Sequence, residues 1–253
     1  MPSTIASPHN AEAHLEELKA AARDAGGATD VVDYAQRAVE QLGRLLGAER
    51  CSLLTLRDGR LYQGGSVGLP QSFVDALEGV KIGPHVGTCG SAAWRGQPVV
   101  THDIHTDPKW SDFRELAAAA GLRACWSVPL RLHDGAVLGT FATYAAVPAS
   151  PQAAEVELAE AHASLVALGL DRMRGQERLS ESYQSVVVAL SSALDVRDEY
   201  TGAHSTETAS MAVEVGRRLG ISGVELRHVE HAALLHDIGK LGSPPRSCTL
   251  RAR

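Results

Sequence analysis

Two Asp-Gly dipeptides are the features that most constrain the fold of this chain. Each lies between two apolar runs, which are residues 51–56 and 61–66 around Asp58-Gly59, and residues 124–132 and 136–144 around Asp134-Gly135. Asp-Gly between such runs is a strong signal for a β-hairpin because both residues readily adopt a positive φ. The sequence therefore predicts two hairpins and, with them, an antiparallel sheet.

Helical patterns precede and separate the two hairpins. Asp30 is the predicted cap of an amphipathic helix over residues 31–46. Shorter elements are predicted as helices at 71–77, near 91–94 and at 110–120, and as a strand at 98–101. Helices packed on an antiparallel sheet make an α+β fold, and this is the predicted class.

From Gln152 the chain is predicted to be helical over a long run. Within it, Leu179, Tyr183, Val186 and Leu190 repeat at spacings of four, three and four residues, which is a short heptad seam. Two interpretations remain open: a parallel dimeric coiled coil, or packing onto the chain's own domains.

The C-terminal part is also predicted to be helical. A helix is expected over residues 205–219, and Ser222 with Glu225 predicts a capping box for a further helix that runs to about Ile238.

Composition excludes several functional classes. The 253-residue chain carries a net charge of −6, which gives no electrostatic reason to expect nucleic acid or an anionic membrane as the main partner. No stretch approaches the ~18 apolar residues of a membrane span, and the first residues lack the pattern of a signal peptide. Four cysteines without a CxxC pair predict free thiols, so we expect a cytoplasmic protein.

A histidine and an aspartate stand side by side at His236-Asp237, after an apolar run, and His204 lies upstream. Imidazole nitrogen and carboxylate oxygen are ligands that divalent metals accept in proteins. His204, His236 and Asp237 are therefore candidate metal ligands. A second pair, His102-Asp103, follows a predicted strand without a comparable partner and is interpreted as coincidence.

Residues 28–148 resemble a GAF domain. The phrases that carry the resemblance are Gly87-Thr88-Cys89-Gly90, residues 95–100, residues 103–108, residues 124–130 and residues 134–141. The resemblance implies a small-molecule or redox sensor, usually dimeric, that regulates an attached output domain. It fixes no ligand, because the Asn-Lys-Phe-Asp-Glu pattern of members that bind cyclic nucleotides and the Cys-His pair of bilin-binding members are both missing from the sequence.

Cys89, Cys125 and Trp126 are the candidate ligand-binding residues of this sensor domain. Cys89 lies beside a predicted helix N-terminus, a position that lowers the pKa of a thiol. A redox role for Cys89, together with Cys125, is therefore one hypothesis. The alternative is that both are small residues packed in the sheet domain.

Residues 184–243 closely resemble the start of an HD-GYP domain. Complete members are metal-dependent phosphodiesterases that hydrolyse cyclic di-GMP at a centre of two or three iron or manganese ions. The resemblance implies that His204, His236 and Asp237 bind metal, that Asp237 bridges two ions, and that Lys240 binds a substrate phosphate. Asp237 and Lys240 are thus the implied catalytic residues, and Tyr200 stands where three-metal members carry a glutamate.

The later motifs of that family do not occur in this sequence. They are a further histidine, a His-His-Glu run, an Asp-Gly-x-Gly-Tyr-Pro segment and a final aspartate. We therefore expect a truncated domain that is inactive alone. The expected division is an N-terminal helical segment over 1–27, the GAF domain over 28–148, a linker helix over 149–183, the partial HD-GYP domain over 184–243 and an irregular tail over 244–253.

Three hypotheses follow for the function. The first is a sensor, dimeric through its linker helix, that binds a small effector and carries a non-catalytic HD-GYP fragment. The second is a cyclic di-GMP phosphodiesterase whose missing ligands come from another chain or a longer product. The third is a structural dimerisation protein with an empty sensor pocket.

Overall fold

The computed structural model describes residue 28, residues 30–197 and residues 204–239. The chain divides between Arg174 and Gly175 into two compact units. The helical segment predicted over 1–27 and the tail at 244–253 lie outside the described residues. Within the described parts of the chain, no helix is both long enough and apolar enough to cross a membrane.

The first unit is built on a six-stranded antiparallel sheet. Its strands are β1 (Cys51–Arg57), β2 (Arg60–Val67), β3 (Val80–Lys81), β4 (Val99–Thr101), β5 (Ala124–Arg131) and β6 (Val137–Ala145). Their order across the sheet is β3-β2-β1-β6-β5-β4, so that the two predicted hairpins meet where β1 pairs with β6. With helices packed on this sheet, the predicted α+β class is confirmed.

The two hairpins turn in different ways. Asp58 and Gly59 both adopt a positive φ, 49° and 70°, which is the geometry of a tight two-residue turn. At the second hairpin only Gly135 does so, and the Asp134 carboxylate accepts a hydrogen bond from the Ala136 amide at 3.0 Å. The second Asp-Gly therefore lies in a longer loop that separates β5 from β6.

Helices cover both faces of the sheet. They are α1 (Val31–Leu45), α2 (Gln71–Ala76), α3 (Gly87–Arg95), α4 (Arg114–Ala119), a 3₁₀ helix (Pro108–Phe113) and the long α5 (Ala153–Arg197). The Asp30 carboxylate caps α1 through the amides of Val32 and Asp33, as predicted. The glycine-rich segment is itself helical from Gly87, so α3 begins four residues earlier than the sequence predicts.

Successive side chains of each strand point to opposite faces of the sheet, and this divides the core into two layers. On one face Leu53, Leu130 and Phe141 pack with α1 and with the first half of α5. Gly169 of α5 approaches the hydroxyl of Tyr34 so closely that a Cβ at residue 169 would overlap it. The hydrophobic core of the first unit therefore continues beyond residue 148, up to Leu170.

The second unit contains the C-terminal part of α5 with α6 (His204–Arg218) and α7 (Gly223–Leu234). A small cluster of Val187, Ala209 and Leu234 joins the three helices. The predicted capping box is wrong, because the side chain of Ser222 makes no capping hydrogen bond. Gly223, which follows Ser222, has a φ of 59°, in the left-handed region and not in the right-handed helical one.

Candidate functional site

A small apolar cavity lies between α3 and the second face of the sheet. Its volume is about 30 Å³, which is space for little more than a water molecule. Its lining is almost wholly apolar and consists of Leu54, Leu61, Leu77, Val80, Val86, Gly87, Thr88, Cys89, Gly90, Trp110, Phe113 and Tyr144. Such a lining favours an uncharged occupant, since a charge here would lose its hydration without gaining a partner.

A short chain of hydrogen bonds holds the first turn of α3 in place. The indole nitrogen of Trp110 donates to Thr88 Oγ1 at 2.9 Å, and that hydroxyl donates to Thr101 Oγ1 on β4, also at 2.9 Å. Thr88 and Thr101 are fully buried, so each bond satisfies a polar atom that water does not reach. The next residue, Cys89, is thereby fixed at the cavity.

Cys89 belongs to a cluster of buried, mutually bonded polar groups. Its Sγ lies 3.7 Å from Tyr144 Oη, which in turn lies 3.0 Å from Ser52 Oγ. The neighbouring Cys125 side chain is the largest cause that lowers the pKa of Cys89. Burial raises the pKa of Cys125 and of Tyr144 well above their ordinary values. Cys89 is therefore the group of this cluster that loses a proton most readily.

Trp126 lies apart from the two cysteines. Neighbouring residues of a strand point to opposite faces, so Cys125 joins the thiol cluster and Trp126 packs against the core on the α1 face. There it lines a second cavity of about 360 Å³, together with residues 46–50 and the start of α5. Its role as a ligand-binding residue stays a prediction, and it would concern that second cavity.

Sequence reasoning missed Tyr144, Trp110 and Thr88 as parts of the site. A usable signal was present, because aromatic residues make up only 4% of the chain. A buried tyrosine or tryptophan needs a partner for its hydroxyl or indole nitrogen. In a chain with so few of them, such residues mark the places where polar groups lie inside the core.

In the second unit, His236 and Asp237 lie in the turn that follows α7, not within the helix as predicted. Their side chains meet, with Nε2 of His236 3.3 Å from Oδ2 of Asp237. The other ring nitrogen of His236, Nδ1, lies 2.8 Å from the carbonyl oxygen of Ala233. A carbonyl can only accept a hydrogen bond, so Nδ1 carries a hydrogen, and in the neutral ring the lone pair is then on Nε2.

This arrangement fits a metal ion. A lone pair on Nε2 and a carboxylate oxygen repel each other at 3.3 Å unless a cation or a second ring proton lies between them. A backbone carbonyl that fixes the Nδ1 hydrogen is the usual way in which a metal-binding histidine is oriented. His236 and Asp237 thus offer one nitrogen and one oxygen ligand from adjacent residues.

The other predicted ligands are not placed by the structure. His204 is the first residue of α6, but its side chain lies outside the described part, as does Lys240. Among the described residues no group of three or more histidine, cysteine or acidic side chains lies together in a way that would hold a metal.

Comparison with known families gives two matches in this chain. The family model for the GAF domain matches residues 30–170, and the model for the HD domain matches residues 201–247. The first match takes in the sheet, its helices and the part of α5 that packs on them. The second begins just before α6 and includes the His236-Asp237 pair.

Two curated proteins are similar to parts of the chain. The methyl sulfide methyltransferase-associated sensor of Methanosarcina acetivorans is 28% identical over 181 residues, which are 70% of this chain and 18% of that protein. The 3'3'-cGAMP-specific phosphodiesterase 3 of Vibrio cholerae is 38% identical over 65 residues, which are 25% of this chain and 14% of that protein. The chain thus spans less than a fifth of either relative.

Solved structures confirm the fold of the first unit. The GAF domain of a phosphoenolpyruvate-protein phosphotransferase from Coxiella burnetii superposes with a TM-score of 0.54 at 18% identity, over 65% of this chain and 96% of that one. The free methionine-R-sulfoxide reductase of Neisseria meningitidis gives 0.52 at 20% identity, over 68% and 95%. At these identities the likeness concerns the fold alone.

Proposed function

The chain belongs to the GAF domain family, and from this premise we propose that it is a signalling protein in which a GAF sensor regulates an HD domain of the HD-GYP type, directed at cyclic dinucleotides. The observation that carries the proposal is the pairing of His236 Nε2 with Asp237 Oδ2 in a turn. The similarity of this region to a protein named as a 3'3'-cGAMP-specific phosphodiesterase supports the class of substrate.

The metal would supply the chemistry of hydrolysis, because divalent cations activate water and neutralise the charge that develops on phosphate oxygens. His204, His236 and Asp237 would hold it, with iron or manganese as the metal that the resemblance implies. Lys240 would bind a phosphate of the substrate through its compact ammonium charge. The protein's own contribution at His236 is orientation, since the Ala233 carbonyl lies 2.8 Å from Nδ1 and holds a hydrogen on that nitrogen.

Three protein ligands are few for a centre of two ions. We propose that this 253-residue chain binds a divalent metal weakly and does not hydrolyse cyclic di-GMP on its own. The alternative is an active phosphodiesterase in which another chain or a longer product supplies the remaining ligands. That alternative is favoured by the same similarity to a cyclic-dinucleotide phosphodiesterase.

Weakened metal binding is the expected result of replacing either member of the pair. In His236→Ala and in Asp237→Ala, the affinity for Mn²⁺ should fall at least about tenfold, because a ligand atom is lost from a small set. Titration with Mn²⁺, followed by the electron paramagnetic resonance of the free ion, measures the affinity. His228→Ala is the matched control, since His228 is an exposed histidine of α7 and its loss should change nothing.

Equal Mn²⁺ affinity in all four proteins would contradict the proposed site. Assays with cyclic di-GMP and 3'3'-cGAMP in the presence of Mn²⁺ or Fe²⁺ separate the two versions of the function. Turnover by the wild-type chain that disappears in Asp237→Ala would establish an active phosphodiesterase. It would overturn the proposal that this chain is inactive on its own.

Self-association through α5 is part of the proposal. Leu179, Tyr183 and Val186 of the heptad seam are 71%, 62% and 55% exposed in the single chain. Apolar side chains at heptad spacing are typical of a helix that pairs with a second copy. We propose a parallel homodimer in which this seam is buried.

Charges placed in the seam should separate the dimer. The double variant Leu179→Glu with Val186→Glu is expected to weaken self-association at least about tenfold, since four carboxylates would meet in an apolar interface. Sedimentation equilibrium measures the association constant, and circular dichroism shows whether the helix is kept. Gln184→Glu adds one carboxylate per chain on the opposite side of α5 and should leave the dimer intact. A wild-type chain that remains monomeric would overturn the dimer.

A further inference from the structure

Two of the three described cysteines lie together, and the third lies elsewhere. Cys89 on α3 and Cys125 on β5 are 7% and 2% exposed, and both belong to the same buried cluster on one face of the sheet. Cys51 is buried on the opposite face of the sheet, where its thiol donates to the carbonyl of Val39 at 3.6 Å. The fold therefore joins two cysteines that are far apart in sequence into one dithiol and keeps Cys51 away from it.

The dithiol is open to a small, uncharged reactant. Cys89 lines the apolar cavity of about 30 Å³, whereas Cys125 lies behind it, away from the cavity lining. A molecule with two heavy atoms is close to the limit of this space. The Tyr144 hydroxyl lies 3.7 Å from the Cys89 sulfur and can donate a hydrogen bond to a reactant that meets that sulfur.

We propose that Cys89 and Cys125 are a redox pair that hydrogen peroxide oxidises to a disulfide within the GAF domain. This inference rests on the proposed role of the domain as a sensor and names the signal that it detects. It concerns a modification of the protein itself, so it does not depend on the chemistry of the HD domain.

The reaction proceeds in two balanced steps. The Cys89 thiolate attacks one peroxide oxygen, the O–O bond breaks, and Cys89 becomes a sulfenic acid while hydroxide leaves with a proton as water. The sulfur of Cys125 then attacks the sulfenic sulfur. The S–O bond breaks, the hydroxyl leaves with the Cys125 proton as a second water, and the disulfide forms. One peroxide is reduced and two thiols are oxidised.

The order of roles follows from the two environments. Cys89 has the lower pKa and meets the cavity, so it is the attacking thiol. Cys125 is more deeply buried, burial raises its pKa, and it lies in the same buried cluster as Cys89, so it resolves the sulfenic acid. The resulting bond would tie the first turn of α3 to β5 and would change the shape of the cavity.

Peptide mapping of the full chain tests the proposal. The reduced protein is treated with hydrogen peroxide, blocked with an alkylating agent and digested with trypsin without reductant. Cleavage after Lys81, Arg95, Arg123 and Arg131 gives one peptide with Cys89 and another with Cys125. We expect a linked pair whose mass is lower than the sum of the two peptides by two hydrogens, and which dithiothreitol separates.

The cysteine variants define the roles. In Cys125→Ser, Cys89 should accumulate as a sulfenic acid that dimedone captures, and in Cys89→Ser the linked pair and the dimedone adduct should both be lost. Cys51→Ser is the matched control and should react as wild type does. In the wild-type protein, Cys89 should react at least about tenfold faster than Cys51, whose pKa burial raises to about 11.

Absence of the linked pair in wild-type protein, or oxidation of Cys51 at the rate of Cys89, would overturn the proposal. This test needs no substitution, so a variant that fails to fold cannot decide it. The proposed function is tested by a different measurement, the affinity of the chain for Mn²⁺. His236→Ala should still form the disulfide, and a chain without the disulfide should still lose Mn²⁺ affinity when His236 is replaced.

Discussion

Replacing Gly139 with alanine is expected to destabilise the GAF domain by more than about 3 kcal/mol. Gly139 lies on β6, where it pairs with Thr55 of β1 on one side and with Leu130 of β5 on the other. A Cβ at residue 139 would overlap the backbone carbonyl of Leu54 and would come within 3.1 Å of a methyl group of Leu130. A backbone atom of a central strand cannot move aside without disturbing the strand pairing, so the cost is large.

A neighbouring variant provides the control for Gly139→Ala. Val137→Ala removes two half-buried methyl groups from the same strand and should cost about 1 kcal/mol. Adding one methyl at residue 139 is thus expected to cost more than removing two at residue 137. Guanidinium unfolding followed by tryptophan fluorescence measures both, because Trp94, Trp110 and Trp126 all lie in the first unit. Equal stability of Gly139→Ala and wild type would show that β1 and β6 are not packed as described.

The extent to which the sequence predicts this fold depends on the range of the interactions. The two Asp-Gly turns and the Asp30 cap involve residues a few positions apart, and the structure has both hairpins and the cap. Strand β3 has two residues, too few to show an alternation, and it is defined by pairing with Arg60 and Leu61. The packing of Gly169 against Tyr34 joins residues far apart in the chain, and no local pattern reveals it.

The candidate sites also depend on the range of the interactions that form them. The sequence offered Cys89 and Cys125 together as one redox hypothesis, but their meeting in the fold depends on α3 beginning at Gly87 and on the face to which β5 turns its odd-numbered residues. The same alternation sends Trp126 to the other face. His236 and Asp237 are adjacent in sequence, yet the orientation of the imidazole depends on the Ala233 carbonyl, which is free to accept a hydrogen bond because α7 ends at Leu234.

His162 has the most unusual environment of any titratable group in the core on the α1 face. It lies on α5 and is fully buried, and neither ring nitrogen has a hydrogen-bond partner within the described part of the chain. Burial disfavours the charged imidazolium and lowers the pKa of His162 from 6.5 to about 4. The folded domain therefore holds a neutral histidine at every pH above about 4.

The stability of the GAF domain should consequently fall as the pH is lowered from about 6.5 to about 4. Above this window, His162 is neutral in the folded and in the unfolded chain, so it adds no pH dependence. Within the window, the unfolded chain binds a proton that the folded domain does not, and unfolding gains about 3 kcal/mol by its lower end. Below about pH 4 both states bind the proton and the loss attributable to His162 stops.

Replacing His162 with leucine should remove this loss and stabilise the domain at every pH. Leucine has a similar volume and no polar atom, so the cost of burying two unpartnered nitrogens disappears, about 1 kcal/mol or more even at neutral pH. The stability difference between His162→Leu and wild type should grow by about 2 to 3 kcal/mol between about pH 8 and pH 4.5. Guanidinium unfolding with tryptophan fluorescence at the two pH values gives this difference directly.

Because the carboxylates and the other histidines are common to both proteins, their titration cancels from the comparison. His133→Asn removes an exposed histidine from the loop between β5 and β6, and it should leave the pH profile of the wild type unchanged. A stability difference between His162→Leu and wild type that is the same at both pH values would mean that the folded and unfolded chains bind the His162 proton equally well. In that case His162 would be solvated or paired in the folded domain, and the packing of α5 against the sheet would need to be different from that described.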